Sequence, residues 1–124
     1  PAETPIAPKA PAVIAAPFEA RALKVLPLLD QLMKEPSVET IEEIKSRLSG
    51  LDEEVQAALK KAEGEEGAKL KALSSRLEQA LKYVGLLRIS YQSLASETLP
   101  RRITAAGHSF AALVALLRQA LTQP

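Results

Sequence analysis

The sequence contains no cysteine and no tryptophan, and its only aromatic residues are two tyrosines and two phenylalanines. Without cysteine the chain has no disulfide, no thiolate nucleophile and no cysteine-ligated metal site. A cysteine-free chain is compatible with oxidising and with reducing surroundings, so its localisation is not determined. The core must be built from Leu, Ile, Val and Ala, a composition that favours helices over sheets.

Long uncharged runs are also missing. The longest, 103–117, includes Gly107 and His108 and is shorter than the roughly 20 apolar residues that span a bilayer. We therefore expect no membrane span. Because the chain starts with proline and not with methionine, we also expect a processed chain or part of a longer protein.

Proline is concentrated at the start of the chain, where it recurs between Pro1 and Pro11 among alanines. This spacing blocks helix propagation and favours extended conformations. Residues 1–16 are thus predicted to be a flexible Pro/Ala-rich linker. The alternative is that Val13 and Ile14 dock as a short segment on the rest of the chain.

After the linker, apolar residues recur at intervals of three and four, which is the spacing of amphipathic helices. In the last three predicted helices the apolar stripe follows an unbroken heptad pattern, as in coiled coils. Pro27 lies inside the first predicted helix and either kinks or splits it. The four predicted helices span about 17–35, 37–62, 67–96 and 98–122.

The second and third predicted helices are separated by 63–67, where two glycines allow the positive φ angles that end a helix. Long heptad helices joined by so short a turn are typical of an antiparallel hairpin. We predict an all-α fold in which 17–124 forms an antiparallel, up-down-up-down bundle of three to four long heptad-patterned helices. Leu99 and Ile103 are expected on the buried stripe of the last helix.

Charge is distributed unevenly, although the formal net charge is only +1. The segment 34–66 has ten acids and five bases, whereas 67–124 has two acids and eight bases. The favoured interpretation is that an acidic helix pairs with basic neighbours inside the bundle. The alternative is a basic surface on the third and fourth helices that faces outward.

No arrangement of residues indicates an enzyme. A serine-type hydrolase needs a base beside its nucleophile, but His108 and the adjacent Ser109 point about 100° apart on a helix. One histidine without cysteine does not supply the ligands of a zinc site, and the Glu-x-x-His pair of di-iron bundles is absent. We expect no catalytic residue, no cofactor and no metal.

A rival function would use His108, because a lone histidine on a helical bundle resembles the histidine phosphotransfer domains that relay a phosphoryl group. Such domains generally place a lysine and a glycine shortly after the histidine. Neither residue type occurs in 109–113 of this chain. The phosphotransfer interpretation is therefore an alternative and not the leading prediction.

Two further alternatives use the bases of the third and fourth helices, as an adaptor for nucleic acid or for a membrane surface. These bases are scattered, and Arg101 and Arg102 are their one adjacent pair. Nucleic-acid binding favours clustered bases with aromatic stacking partners, so nucleic acid is not the expected partner. A basic helix surface can also bind anionic lipid.

The second half of the third predicted helix has apolar residues outside its stripe, beside a glycine that permits close approach. They either pack inside the bundle or form a groove for an amphipathic helix of a partner. Self-association into a homo-oligomer is a third interpretation. We predict a non-enzymatic protein–protein interaction or scaffolding module acting within a larger protein or complex. The predicted partner-binding residues are Leu81, Gly85, Leu86, Ile89, Arg101 and Arg102.

Overall fold

The computed structural model describes residues 17–122, so the predicted linker over 1–16 lies outside the described residues. The described chain is all-helical. A short helical segment at 17–23 (α1) is followed by four helices that pack against each other. These are α2 (Leu26–Lys34), α3 (Val38–Leu59), α4 (Gly64–Ser96) and α5 (Pro100–Thr122).

Pro27 divides the first predicted helix into α1 and α2. The backbone N–H of Lys24 still donates to the carbonyl of Ala20, and α2 then begins with Pro27 in its first turn. Proline has no N–H to donate to the preceding turn, but it is tolerated where a helix starts. Of the two alternatives for Pro27, the structure shows the split.

Ser37 starts α3. Its backbone is extended, and its Oγ accepts a 3.2 Å hydrogen bond from the backbone N–H of Thr40. This side chain satisfies one of the amides that the first turn leaves without a helical partner. Pro36 lies just before it and discourages any continuation of α2.

Gly64 starts α4, three residues earlier than expected. It is the only residue in the described range 17–122 with a positive φ, at 64°. The second glycine, Gly67, is already helical, and Glu65 and Glu66 lie in the first turn, where acids complement the positive end of the helix dipole. α4 therefore begins before the second glycine and is 33 residues long.

One hydrophobic core joins all the helices. α4 packs against α3 and α5, and α2 packs against the same two helices. The core is built mainly from leucine, with four valines and one phenylalanine. Its buried residues are Ala22, Val25, Leu29, Leu32, Ile41, Ile44, Leu48, Leu51, Val55, Leu70, Leu73, Leu77, Ala80, Val84, Leu87, Phe110, Val114, Leu117 and Leu121.

The last helix buries only part of its predicted stripe. Phe110 and Leu117 are buried as expected, but Leu99 and Ile103 are exposed. The first half of α5 thus carries apolar stripe residues that no other helix covers.

Polar side chains add specific contacts between the helices. Ser74 of α4 is buried, accepts a hydrogen bond from Gln56 and donates one to Asp52, both on α3. Arg76 donates to the backbone carbonyls of Ala120 and Leu121 at the end of α5.

No helix within the described range is long and apolar enough to cross a membrane.

Candidate interaction surfaces

The six predicted partner-binding residues fall at three separate places. Leu81 is partly buried and packs against the core. Leu86 and Ile89 are exposed on α4, together with Gly85. Arg101 and Arg102 are exposed in the first turn of α5. The structure therefore does not bring the six together into one site.

Leu86 and Ile89, with the exposed Gly85 beside them in the sequence, form the surface that we call the α4 patch. They lie three residues apart, so their side chains are neighbours on one side of the helix. Leu86 is 41% exposed and Ile89 is 61% exposed. The adjacent Leu87 is fully buried, because it faces the opposite side of α4. The patch is thus the outward side of a helix whose inward side is already packed.

Gly85 leaves open space beside the patch. A Cβ built at this position would meet no other atom within 4 Å. The absence of a side chain lets the backbone of a partner approach α4 closely. No feature of the fold in the described range requires glycine here, since its φ is not positive.

Arg101 and Arg102 belong to a second surface, the α4–α5 tip, which consists of Leu99, Arg101, Arg102 and Ile103. Leu99 is 53% exposed and Ile103 is 40% exposed. The heptad spacing predicted these two apolar residues on the buried stripe and not on the surface, and this prediction is wrong for both. The sequence did contain a signal for this exposure, because the third predicted helix is longer than the second.

A shallow groove of about 340 Å³ lies between α4 and α5, away from both surfaces. Gln79 donates a 2.8 Å hydrogen bond to the hydroxyl of Tyr83 along its wall. Arg76 also lines the groove, but it already binds the carbonyls at the end of α5. Its lining residues are Ser75, Arg76, Gln79, Tyr83, Leu116, Gln119 and Ala120.

His108 is exposed in the uncharged part of α5. The nearest bases on its own helix are Arg102 and Arg118, six and ten residues away. A phosphoryl group on His108 would therefore have no base within one helical turn to stabilise its charge. Within 17–122, no three His, Asp or Glu side chains are grouped closely enough to hold a metal ion.

The bases of α4 and α5 divide into paired and unpaired groups. Arg88 pairs with Glu42, Arg118 with Asp30 at 2.5 Å, and Arg76 with Glu19 at 3.6 Å. Only the first of these pairs joins α4 to the acidic helix α3. Among the residues described, the bases of α4 and α5 without an ion pair are Lys69, Lys71, Lys82, Arg101 and Arg102.

Comparison of the chain with family models, with curated proteins and with solved structures finds no match.

Proposed function

We propose that this chain is a non-enzymatic protein–protein interaction or scaffolding module that binds its partner through the α4 patch. The observation that carries the proposal is the exposure of Leu86 and Ile89 on a helix whose opposite side is fully packed. Neighbouring exposed apolar side chains mark contact sites more often than single ones do. Neither side chain belongs to the hydrophobic core of the bundle.

The patch suits the apolar side of an amphipathic helix. Burying a Leu or Ile side chain completely contributes about 1.5–3 kcal/mol, and roughly half of each patch side chain remains to be covered. A partner that covers both would gain about 2 kcal/mol from this burial. The open space at Gly85 allows its backbone to come close enough to do so. The remaining affinity must come from contacts around the patch.

The finer architecture is part of the proposal. We infer an antiparallel, up-down-up-down bundle with heptad-spaced stripes. Two contacts support opposite directions for α3 and α4. Glu42 of α3 pairs with Arg88 of α4, whereas Gln56, later in α3, contacts Ser74, which is earlier in α4. Such a bundle would hold the α4 patch on a rigid surface.

The test is capture of binding proteins from an extract of the source cells by the full chain. Replacing Leu86 and Ile89 together with serine should abolish specific capture without reducing helix content, because both side chains are exposed. The matched control is Leu23→Ser, which removes a leucine of similar exposure (44%) from α1. Capture that survives the double substitution, or that is lost equally in the control, would refute the α4 patch.

The phosphotransfer alternative has weaker support, because no base lies near His108 on α5. His108→Gln should therefore leave capture unchanged, and incubation with acetyl phosphate should label neither protein at histidine. Acid-labile phosphate on the wild type that disappears in His108→Gln would favour the alternative. A captured partner that proves to be a second copy of the chain would identify the module as a homo-oligomer.

A further inference from the structure

The α4–α5 tip projects beyond the neighbouring helices. Arg88 of α4 pairs with Glu42 of α3, and α3 begins four residues before Glu42, at Val38. α4 continues eight residues beyond Arg88, to Ser96. Since the two helices run in opposite directions, the last four residues of α4 pass the start of α3 by about 6 Å. The tip is therefore a convex end of the molecule.

Two apolar side chains lie at this end. Leu99 immediately precedes α5, and its backbone carbonyl accepts a 2.9 Å hydrogen bond from the backbone N–H of Ile103 at the start of the helix. They continue the stripe that is buried further along the helix at Phe110 and Leu117. They are exposed because α3 does not extend along this end of α4 and α5.

Two bases lie at the same end of α5, between Leu99 and Ile103 in the sequence. Arg101 and Arg102 are in the first turn of α5, which contains no acid. Neither forms an ion pair with another described residue. Glu97 is the one acid between Arg88 and the end of α5. The tip is thus apolar and positively charged, and its complement is apolar and negatively charged.

Two kinds of partner are both apolar and negatively charged, an acidic amphipathic helix and an anionic lipid bilayer. The shape of the tip favours one of them. An acidic amphipathic helix binds in a groove, whereas the tip is a convex end at which α4 and α5 project beyond α3. An anionic lipid bilayer is broad and accepts apolar side chains between headgroups whose phosphates pair with arginine. We propose that the α4–α5 tip binds the surface of an anionic membrane, with Leu99 and Ile103 inserted and with Arg101 and Arg102 at the phosphates.

This inference goes beyond the proposed function, because it concerns another surface and another class of partner. Two apolar side chains and two bases give weak, reversible attachment. The α4 patch lies on the side of α4 and not at its end, so it stays accessible while the tip is on a membrane. The chain would then bring a protein partner to a lipid surface.

The test is co-sedimentation of the full chain with vesicles of phosphatidylcholine, with and without phosphatidylserine. The wild type should pellet with the anionic vesicles at low salt and dissociate as the salt is raised. Each base near an anionic surface strengthens binding about fivefold, so replacing Arg101 and Arg102 with glutamine should weaken it roughly 30-fold. Leu99→Ser should weaken it about fivefold to tenfold by removing an inserted side chain.

The matched control replaces Lys69 and Lys71 with glutamine, which removes two exposed unpaired bases near the start of α4, away from the tip. This variant should bind anionic vesicles like the wild type. Equal weakening in both double variants, or no sedimentation of the wild type, would overturn the proposal. It would also be overturned if a Leu- and Glu-rich amphipathic peptide bound the tip while the vesicles did not. The capture experiment with the α4 patch is unaffected by these outcomes.

Discussion

Arg21 and Glu54 form a bidentate ion pair between α1 and α3, with both hydrogen bonds at 2.7 Å. The hydrogen bonds from Arg21 lower the pKa of Glu54 below its ordinary value of 4.5, against a smaller rise from desolvation. The same pair raises the pKa of Arg21. Both side chains are about half exposed, so solvent screens the interaction and its contribution to stability is modest.

The lowered pKa of Glu54 predicts how stability depends on pH. The pair contributes its full stabilisation above the ordinary pKa of the carboxyl, and this is lost as the pH falls through the lower folded value. Glu54→Gln should therefore be slightly less stable than the wild type at neutral pH and should lose less stability on acidification. Urea denaturation midpoints measured across a pH series would show this smaller dependence of stability on pH.

The control for this prediction is Glu53→Gln, which neutralises the neighbouring exposed carboxylate. Among the described residues Glu53 forms no ion pair, so this variant should keep the pH dependence of the wild type. If Glu54→Gln and Glu53→Gln respond identically to acid, the Arg21–Glu54 pair makes no contribution in solution.

Leu81 and Leu86 show what the spacing of apolar residues along one helix could and could not predict about the candidate site. Both leucines lie off the apolar stripe of α4, so the sequence placed them together. They are five residues apart, about 140° around the helix, and the structure puts Leu81 against the core and Leu86 in solvent. Which side of a helix is covered depends on where the other helices lie, and the pattern within one helix does not contain that information.

At the scale of the helices, Gly64 and Gly50 have opposite roles. Gly64 starts α4 with a φ of 64°, in the left-handed region that side chains with a Cβ rarely adopt. Gly50 is inside α3, and a Cβ there would meet no other atom within 4 Å. The first glycine is required by the positive φ at the start of α4, whereas the second only reduces helix propensity.

Alanine substitution at the two glycines should therefore change stability in opposite directions. Gly64→Ala should lower the free energy of unfolding by about 1–2 kcal/mol, the cost of a left-handed conformation. Gly50→Ala should raise it by about 0.5–1 kcal/mol, because alanine favours the helix and restricts the unfolded chain. Each variant is the control for the other in urea denaturation. Destabilisation by Gly50→Ala would mean that α3 is not a regular helix at that position.

The ends of the helices were less predictable than their existence. Pro27 and the pair of glycines at 64 and 67 were recognised as breaks, but the sequence left open whether the proline kinks or splits the helix. It also did not show which glycine takes the positive φ. How a helix breaks at a proline, and which glycine has the positive φ, depend on small differences in local free energy. The packing of the whole bundle can outweigh these differences.

At the scale of the whole molecule, the buried residues of every described helix form one cluster. No helix has a core of its own, so loss of one packing partner exposes the others. A small domain with a single core usually unfolds in one cooperative step. α1 and α2 are included, since Ala22, Val25, Leu29 and Leu32 are all buried in the shared cluster.

The single core predicts coincident unfolding transitions. Tyr83 and Tyr91 pack against the core from α4, so tyrosine fluorescence reports on tertiary packing while far-ultraviolet circular dichroism reports on helix content. Both signals should give the same urea midpoint. An earlier fluorescence transition with helix content retained would show that the helices separate before they unfold, contrary to a shared core.

The sequence by itself determined that the chain is helical and where most of its buried stripe residues lie, because helix periodicity is a local property of neighbouring residues. The tertiary structure decided which stripe residues are covered. Leu99 and Ile103 follow the same pattern as Leu117, yet they are exposed, because α3 does not extend along this end of the bundle. It also decided which bases are paired. Relative helix length and packing partners are properties of several segments at once, and no single stretch of sequence contains them.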